Sequence, residues 1–533
     1  MSTQLADLLS LTGQLQNKLT VTELRGSSPA LLAGILATTG NCCCIVPDEH
    51  QLGILEDDLR LFTNARILIC PGYEIPPYIP LSPDQQGTAT RISTLYQLLD
   101  ADARFILIVS AETLLRRLMP KEILAKSAEL ILAGEEYARD ELIDHLIHLG
   151  YESVSLVQTV GDYSVRGGII DIYPPPFIHS GTTLQDGPIR LDFFGDTVES
   201  LRAFDPDTQR SQQNLPEAVL LPVSDILFPP PGSGAFSTLL QHLGDKAAKH
   251  QWDNEQTAQL KEQIELRHRF AGIEFFLPLL HPNSNQPTTS FLSYLPAGTR
   301  LISIAPESGR KAAELVHERV LANYALNRER QSPALPPEHL FLTPDQLNEE
   351  MARFPQLFCS DFPDKGERSF ALTTTNHQLL KQDIGMQRKK RGLLGPLNDQ
   401  IRAWQEQDGQ IILCCRSPRH AANLKELLEN HHHVVEALPP PLDPLRLIPD
   451  HRSKSILLCD QPLSEGFTLV EEKIHLLSES ELFGEMRLGN KGGKKARGKQ
   501  LGAPVRFAEL KDLDVVVHRD HGLGVYHGLL TLE

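Results

Sequence analysis

A short polar turn near the N-terminus is where this sequence comes nearest to a known catalytic motif. The apolar run KLTVTEL predicts a strand, Gly26–Ser28 predicts a turn, and the small residues of Pro29–Thr38 predict a helix. The phosphate-binding loop of nucleotide hydrolases has this order, with backbone N–H groups around a phosphate. It also needs a second glycine and a lysine followed by Ser or Thr, whereas this helix opens as SPALL. Two interpretations remain, a bound nucleotide or an ordinary serine N-cap followed by proline, and the missing lysine favours the second.

Two further polar clusters are weaker candidates for chemistry. His431–His433 follows a predicted helix, and three adjacent imidazoles on a turn do not all face one metal ion. The acidic run Glu56–Asp58 is interpreted as a solvated helix face in preference to a catalytic pair. The sequence also lacks the magnesium-binding acid pair of nucleotide hydrolases and the motifs of serine hydrolases and zinc proteases. We therefore predict no catalytic residue, no metal site and no cofactor in this chain.

Charge indicates the class of partner. The 533 residues carry a formal net charge of −17, with 41% hydrophobic and 22% charged residues. Because a negative chain repels phosphate, we expect protein partners and at most weak, salt-sensitive DNA binding. Residual DNA affinity is expected from basic residues in one glycine- and lysine-rich stretch, which are Lys491, Lys494, Lys495, Arg497 and Lys499.

Composition also bears on location. No apolar run approaches the ~18 residues of a membrane span, and the N-terminus lacks a secretory pattern. The eight cysteines include no C-x-x-C pair and lie mostly in aliphatic runs, which is typical of buried thiols. These features predict a cytoplasmic protein without membrane contact.

The hydrophobic pattern predicts a multidomain α/β protein. KLTVTEL, CCCIVP, ARILICP and RFILIVS are interpreted as strands of a parallel sheet covered on both faces. Later strands turn back at Gly167-Gly168 and Gly195-Asp196, which predicts an inserted antiparallel α+β domain. GTRLISIAP then returns to the first sheet, so the first domain is discontinuous. A proline-bearing linker near residue 335 precedes a second α/β domain, with strands GQIILCC and SILLCD around the helix PRHAANLKELLEN.

These patterns give a set of predicted boundaries. The first domain occupies 1–120 and 212–340, the insert 121–211, the second α/β domain 345–484, a flexible basic linker 485–506 and a tail 507–533. The tail is predicted to hold two strands, at 515–517 and 529–532, which are too few to close a core.

Several segments resemble one family of bacterial proteins. GDYSVRGGIIDIYP at 161–174, with IRLDFFGD at 189–196 and ESLR at 199–202, resembles the second domain of UvrB and of transcription-repair coupling factors (Mfd proteins). Residues 73–80, RISTLYQLL at 91–99 and AGIEFF at 271–276 resemble parts of the first domain. UvrB keeps an intact phosphate-binding loop, whereas coupling factors carry a degenerate copy, as this chain does. VVVHRDHGLGVY at 515–526 resembles the opening of their RNA-polymerase-interacting domain, a small β-barrel that this chain would hold in truncated form.

The resemblance implies a docking role in repair. In such proteins the second domain recruits UvrA, and the contacts carried over by position are Arg166, Arg190 and Phe194. Arginine forks pair with carboxylates, and an exposed phenylalanine is a typical anchor of a protein interface. The alternative is structural: the arginines would pair with Asp171 and Asp192, and Phe194 would lie in the core.

The resemblance also bears on the tail and on catalysis. In the family the tail binds the β subunit of RNA polymerase by adding a strand edge, and Leu532 is our candidate contact. An ATP- and magnesium-dependent DNA translocase and a C-terminal domain that masks the UvrA site are expected outside these residues. We therefore predict a non-catalytic module. The rival interpretation is a UvrB-like ATP-dependent helicase subunit; a CarD-like regulator fits only the tail.

Overall fold

The computed structural model describes residues 4–13, 18–100, 104–179, 183–281, 287–363, 368–391, 394–443, 455–483, 515–518 and 522–525. The chain divides into two compact units, Met1–Met486 and Arg487–Glu533, which are taken separately. Within the described residues, no helix is both long and apolar enough to span a membrane.

Unit one is built from alternating helices and strands. Its first part contains α1 (Gln4–Gly13), β1 (Lys18–Thr22), α2 (Ser28–Ala37), β2 (Cys42–Val46), α3 (His50–Phe62), β3 (Arg66–Cys70), α4 (Gln85–Gln97), β4 (Phe105–Ser110), α5 (Ala111–Leu115) and α6 (Lys121–Ser127). The insert contains β5 (Glu129–Leu132), α7 (Arg139–Leu149), β6 (Glu152–Ser153), β7 (Asp162–Arg166), β8 (Ile169–Ile172), β9 (Phe177–His179), β10 (Thr183–Gln185), β11 (Ile189–Phe194), β12 (Thr197–Phe204), β13 (Ser211–Asn214) and β14 (Glu217–Leu220).

The remainder of unit one follows the insert. The next stretch contains α8 (Gly234–His250), α9 (Asn254–Glu265), α10 (Leu277–Leu280), β15 (Arg300–Ile304), α11 (Pro306–Glu329), α12 (Pro344–Met351), β16 (Gln356–Cys359) and β17 (Ser369–Ala371). The last contains β18 (Thr374–Thr375), α13 (Gln378–Arg391), α14 (Gly395–Glu406), β19 (Gln410–Cys414), α15 (Pro418–Glu429), β20 (Val435–Ala437), β21 (Ile456–Cys459), β22 (Phe467–Leu469), β23 (Ile474–Ser478) and α16 (Glu479–Phe483).

The first sheet is parallel and has the order β17-β1-β16-β15-β2-β4-β3. Strand β15 pairs with β2 although the whole insert separates them in the chain, which confirms that GTRLISIAP returns to this sheet. Continuous apolar strands suit this position because helices cover both faces of a parallel sheet. Cys42–Cys44 lies in β2 and is buried.

The first sheet extends further along the chain than the sequence predicts. Strands β16 and β17 lie beyond residue 345, where the second α/β domain was expected to begin, yet both pair with β1. The proline-bearing stretch near residue 335 is also part of this body: Leu335 is buried, and its carbonyl accepts a hydrogen bond of 2.8 Å from the Tyr78 hydroxyl. Its prolines and charges resemble a linker in composition, but its leucines supply core contacts.

The second sheet of unit one has the order β18-β22-β23-β19-β21-β20. Strands β19, β20, β21 and β23 are parallel, which confirms the predicted second α/β pattern, and β18 and β22 form an antiparallel edge. One apolar core joins this sheet to the first, since Ile302 and Leu31 belong to the same buried cluster as Ile412 and Phe467.

The insert carries a separate sheet, with the order β13-β12-β11-β8-β7-β6. The predicted turns at Gly167-Gly168 and Gly195-Asp196 are confirmed, because each joins an antiparallel pair of strands. Helix α7 packs on one face through Leu142 and Leu146, against side chains such as Ile170 and Leu191. Because side chains alternate along a strand, the residues between these positions project from the opposite face.

In unit two, the structure describes β24 (Val515–His518) and β25 (Gly522–Val525), which pair antiparallel. The predicted first strand is confirmed, but its partner is Gly522–Val525, which the sequence analysis did not assign to a strand. Glycines at 522 and 524 lower the strand propensity of this segment and hide it from pattern analysis. The predicted strand at 529–532 and the basic residues from 491 to 499 lie outside the described residues.

Candidate partner-binding face of the insert

The pairing register brings the two predicted arginines to one face of the insert. Arg190 lies directly opposite Asp171 across the β11–β8 pair, and Asp171 lies opposite Ser164 across the β8–β7 pair. Directly opposed residues share a face, and so do residues two apart on one strand, so Arg166 joins this group. It is the face turned away from α7.

Asp171 binds both arginines. Its Oδ2 lies 3.0 Å from Nη2 of Arg166, and its two oxygens accept bonds of 2.7 Å from Nε and 3.0 Å from Nη2 of Arg190. Only 1% of the Asp171 side chain is exposed, so these arginine donors take the place of water around its carboxylate. Charge-assisted bonds of this two-point geometry fix the direction of a guanidinium as well as its position.

The two arginines differ in how much of each guanidinium remains available to a partner protein. Arg190 is 16% exposed, its Nη1 lies 3.4 Å from both the Gln209 carbonyl and the Ser211 hydroxyl, and its guanidinium lies 4.9 Å from the Phe204 ring. The hydrogen bonds to Asp171 raise the pKa of Arg190 above its ordinary value. Arg166 is 49% exposed and uses Nη2 for Asp171. Arg190 therefore acts mainly as a support, and Arg166 presents a guanidinium to solvent.

Phe194 lies at the exposed end of β11. Its residue is 80% exposed, so the structural alternative of a core phenylalanine is wrong. A register shift between Asp192 and Phe193 interrupts the regular alternation just before it. The neighbouring hairpin is close, because the Phe193 amide donates 2.7 Å to the Gly168 carbonyl, and a Cβ on Gly168 would lie 2.8 Å from the Phe193 carbonyl oxygen.

Asp192 has a different partner from the one considered in the sequence analysis. Its carboxylate accepts bonds from Arg202 and from the Ser200 hydroxyl. Arg202 and Gly168 also belong to this region, although, apart from the predicted glycine turn, no sequence pattern pointed to a role for either of them there. Strand alternation places Arg202 opposite Arg190, but the bulge that shapes the end of β11 has no clear sequence signal.

The turn at Gly26–Ser28 does not fit a nucleotide phosphate. Gly26 has φ +54°, and a Cβ there would lie 2.5 Å from the Gly466 carbonyl oxygen. The Ser27 amide, which would face a phosphate in a working loop, donates 3.1 Å to the Glu465 carbonyl. The expected serine cap is also absent: Ser27 precedes α2 without a side-chain cap bond, and its hydroxyl bonds to Ser464 and Glu465 instead.

The other two polar clusters singled out in the sequence are the acidic run and the histidine run, and the residues of each have different partners in the fold. In the acidic run, Glu56 pairs with Arg60 and is partly exposed, whereas Asp58 is buried and accepts bonds from Ser464, so a solvated face is wrong for Asp58. His431 bonds to a backbone carbonyl and His433 to Asn398. Among the described residues, no three or more His, Cys, Asp or Glu side chains are grouped to hold a metal ion. Leu532 lies outside the described residues.

Comparison with known proteins identifies the insert and its context. The family described as UvrB interaction domain matches residues 130–225. The transcription-repair-coupling factor of Escherichia coli is 30% identical over 529 residues, and that of Myxococcus xanthus is 28% identical over 529 residues; each alignment covers 96% of this chain and 42% of the relative. That of Bacillus subtilis is 24% identical over 526 residues. The chain thus spans about two fifths of the length of these relatives, and its resemblance to the N-terminal part of coupling factors is confirmed.

Proposed function

We propose that this chain is a docking module of transcription-coupled DNA repair that recruits a UvrA-type damage sensor through Arg166 and Phe194 of the insert. The observation that carries the proposal is that an 80% exposed phenylalanine and an arginine held by a buried carboxylate both lie inside the region that matches the UvrB interaction domain. An exposed aromatic ring together with a pre-oriented guanidinium has the composition of an interface hot spot.

The partner surface that fits these two residues offers an apolar pocket and a carboxylate. Phe194 needs a hydrophobic pocket to gain from burial, and Arg166 needs an acceptor for the N–H groups that Asp171 leaves available. Arg190 contributes by holding the Asp171 carboxylate in place through two hydrogen bonds. The bond from Arg166 to Asp171 also lowers the side-chain entropy that Arg166 loses on binding, because its guanidinium is already held in position.

The chain itself is proposed to be non-catalytic. The turn at Gly26–Ser28 lacks the phosphate-binding lysine, and the loop Ser464–Gly466 lies against it. The ATP-driven motor of a coupling factor would then reside outside these residues. A UvrB-like helicase subunit draws no support from this turn.

A second contact, with the β subunit of RNA polymerase, is proposed for unit two. The hairpin of β24 and β25 resembles the start of the polymerase-interacting domain, and strand pairing through an exposed edge is an established mode of binding. A variant that lacks 487–533 should lose retention on immobilised polymerase while keeping its affinity for the UvrA-type protein. Unchanged retention would assign the polymerase contact elsewhere.

The UvrA proposal is tested by calorimetric titration of a purified UvrA-type protein into the chain and into Arg166→Ala. We expect a loss of about tenfold or more in affinity, as for an arginine at the centre of an interface. Arg25→Ala is the matched control, because Arg25 is 40% exposed and has one ion pair of 3.2 Å with Asp361, outside the insert. Equal affinities for all three proteins would contradict the proposal.

A further inference from the structure

The turn Gly26–Ser28 and the loop Ser464–Gly466 are joined by hydrogen bonds that run in both directions. The Ser27 amide donates 3.1 Å to the Glu465 carbonyl, and the Glu465 amide donates 3.2 Å to the Ser27 hydroxyl oxygen. The hydroxyls of Ser27 and Ser464 lie 3.0 Å apart. The turn follows β1 of the first sheet, and the loop precedes β22 of the second sheet. The contact therefore joins two sheets that share no strand pairing.

Two buried carboxylates hold the loop in place. Asp58 on α3 accepts bonds of 2.7 Å from the Ser464 amide and 2.6 Å from its hydroxyl. Glu481 on α16 accepts 3.1 Å from the Gly466 amide and 2.8 Å from the Ser478 amide. Asp58 and Glu481 are each 4% exposed. The loop is therefore held by hydrogen bonds on two sides. Asp58, on a helix that packs on the first sheet, holds one side, and Glu481, on the helix that follows the second sheet, holds the other.

Apolar packing alone would join the sheets without the free-energy cost of removing two carboxylates from water. The Phe62 and Phe467 rings already pack across this boundary, with centroids 6.4 Å apart. Burial raises the pKa of Asp58 to about 6 and that of Glu481 to about 7, so near neutral pH the folded protein holds charge in a poorly hydrated place. Such polar groups add directional bonds that fix one position of the loop, which apolar contacts do not.

The bonding pattern resembles that of a bound anion. In a phosphate-binding loop the backbone amide at the helix start meets a phosphate oxygen. Here the Ser27 amide meets the carbonyl oxygen of Glu465, and the Gly466 carbonyl oxygen lies where a side chain on Gly26 would begin. A backbone carbonyl carries a partial negative charge and so substitutes for the anion.

We propose that the loop Ser464–Gly466 is an internal ligand of the Gly26–Ser28 turn, which closes the turn to phosphates and makes the two α/β sheets move as one body. We call this contact a latch because the turn and the loop supply each other's hydrogen-bond partners. Separating them therefore exposes the amides of Ser27 and Glu465 together. The proposal does not depend on UvrA or polymerase binding.

Hydrogen exchange of the whole chain tests the latch. Ser464→Glu places a second carboxylate against Asp58, and we expect the amides of Ser27 and Glu465 to exchange at least tenfold faster, together. Exchange in the insert, at Ile169–Ile172, should stay unchanged. Ser308→Glu, at an exposed serine near the start of α11, is the matched control and should leave both amides protected. Faster exchange of the Glu465 amide while Ser27 stays protected would overturn the latch, as would no change at either.

Two further arms cover a variant that fails to fold. Ser464→Ala removes only the hydroxyl bonds and should raise exchange at both amides by about threefold. The double variant Ser27→Cys/Ser464→Cys should form a disulfide on oxidation, since the native hydroxyls lie 3.0 Å apart. The cross-link should slow exchange of the Ser27 amide relative to the reduced form of the same variant, because the acceptor of this amide is the Glu465 backbone carbonyl. The Glu465 amide does not serve as a readout here, because its acceptor is the Ser27 hydroxyl that the variant replaces. Inorganic pyrophosphate should bind neither the native nor the cross-linked chain; saturable binding to the native chain would show that the turn is open.

Discussion

Asp171 lies directly opposite Arg190 in the β8–β11 pair and accepts two hydrogen bonds from its guanidinium, of 2.7 and 3.0 Å. The same carboxylate accepts a third bond from Arg166. A buried acid thus fixes one arginine as support and directs the other toward solvent. This division of roles makes their variants distinguishable.

Arg190→Ala should lower stability much more than Arg166→Ala. Removing Arg190 leaves Asp171 buried with only one charge partner, and the loss of one member of a buried pair costs about 3 kcal/mol. Arg166 is half exposed, so its loss should cost less than about 1 kcal/mol. Urea unfolding followed by circular dichroism measures both. Equal losses of stability would contradict the assigned roles.

Gly168→Ala should destabilise the insert and weaken partner binding. A Cβ at this position would lie 2.8 Å from the Phe193 carbonyl oxygen, so β11 must shift, at a cost of about 2 kcal/mol, and Phe194 shifts with it. Gly167→Ala is the control: Gly167 has φ +60° and open space around its Cβ position, so only backbone strain of about 1 kcal/mol is expected. Thermal unfolding and UvrA-type affinity should both rank Gly168→Ala as the more damaged.

Asp58→Asn should change the pH dependence of stability. The folded-state pKa of Asp58 is about 6, raised by burial from an ordinary value near 3.8, so the folded chain retains a proton that the unfolded chain releases between about pH 4 and 6. This linkage lowers the free energy of unfolding as pH rises through that window, by on the order of 2–3 kcal/mol. The neutral amide removes this term while an oxygen remains to accept from the Ser464 amide.

The measurement is urea unfolding of both proteins at pH 5, 6 and 8. The stability of Asp58→Asn relative to the native chain should increase toward pH 8. Because Glu481 titrates in both proteins, the difference isolates Asp58. A difference that is constant across the three pH values would contradict the buried, charge-sensitive position of Asp58.

Mg-ATP should give no heat of binding and no hydrolysis with this chain. The Ser27 amide is already bonded to Glu465, and the helix that follows opens without lysine. Calorimetry at concentrations up to the millimolar range checks the binding, and phosphate release checks the turnover. Micromolar affinity with turnover would favour the UvrB-like helicase interpretation.

The sequence predicts those parts of the fold that local patterns determine. Apolar runs such as CCCIV and FILIVS mark buried parallel strands, and Gly167-Gly168 marks a hairpin, because strand burial and turn geometry restrict residue type locally. The resemblance to UvrB-type domains predicts Arg166, Arg190 and Phe194 as contact residues. Their separate roles required the register and the distances to Asp171.

Other features depend on contacts between distant segments. Asp58 is acidic in an acidic run, so its burial against Ser464, 406 positions away, has no local signal. The short strand Gln356–Cys359 lies between β1 and β15 in the first sheet. Its place there depends on these two strands, which are distant in the sequence, and not on its own residue pattern. The stretch around Leu335 resembles a linker because prolines and charges outnumber its buried leucines.

The most direct test of the docking role is the affinity of a UvrA-type protein for Phe194→Ala, measured by calorimetry beside the melting temperature of the same variant. We predict a loss of about 2 kcal/mol or more, roughly thirtyfold in affinity, with a melting temperature that stays within about one degree of the native chain. Phe362→Ala, which removes a 68% exposed phenylalanine outside the insert, should change neither quantity. Native-like affinity for Phe194→Ala, or a loss matched by Phe362→Ala, would contradict the proposed face.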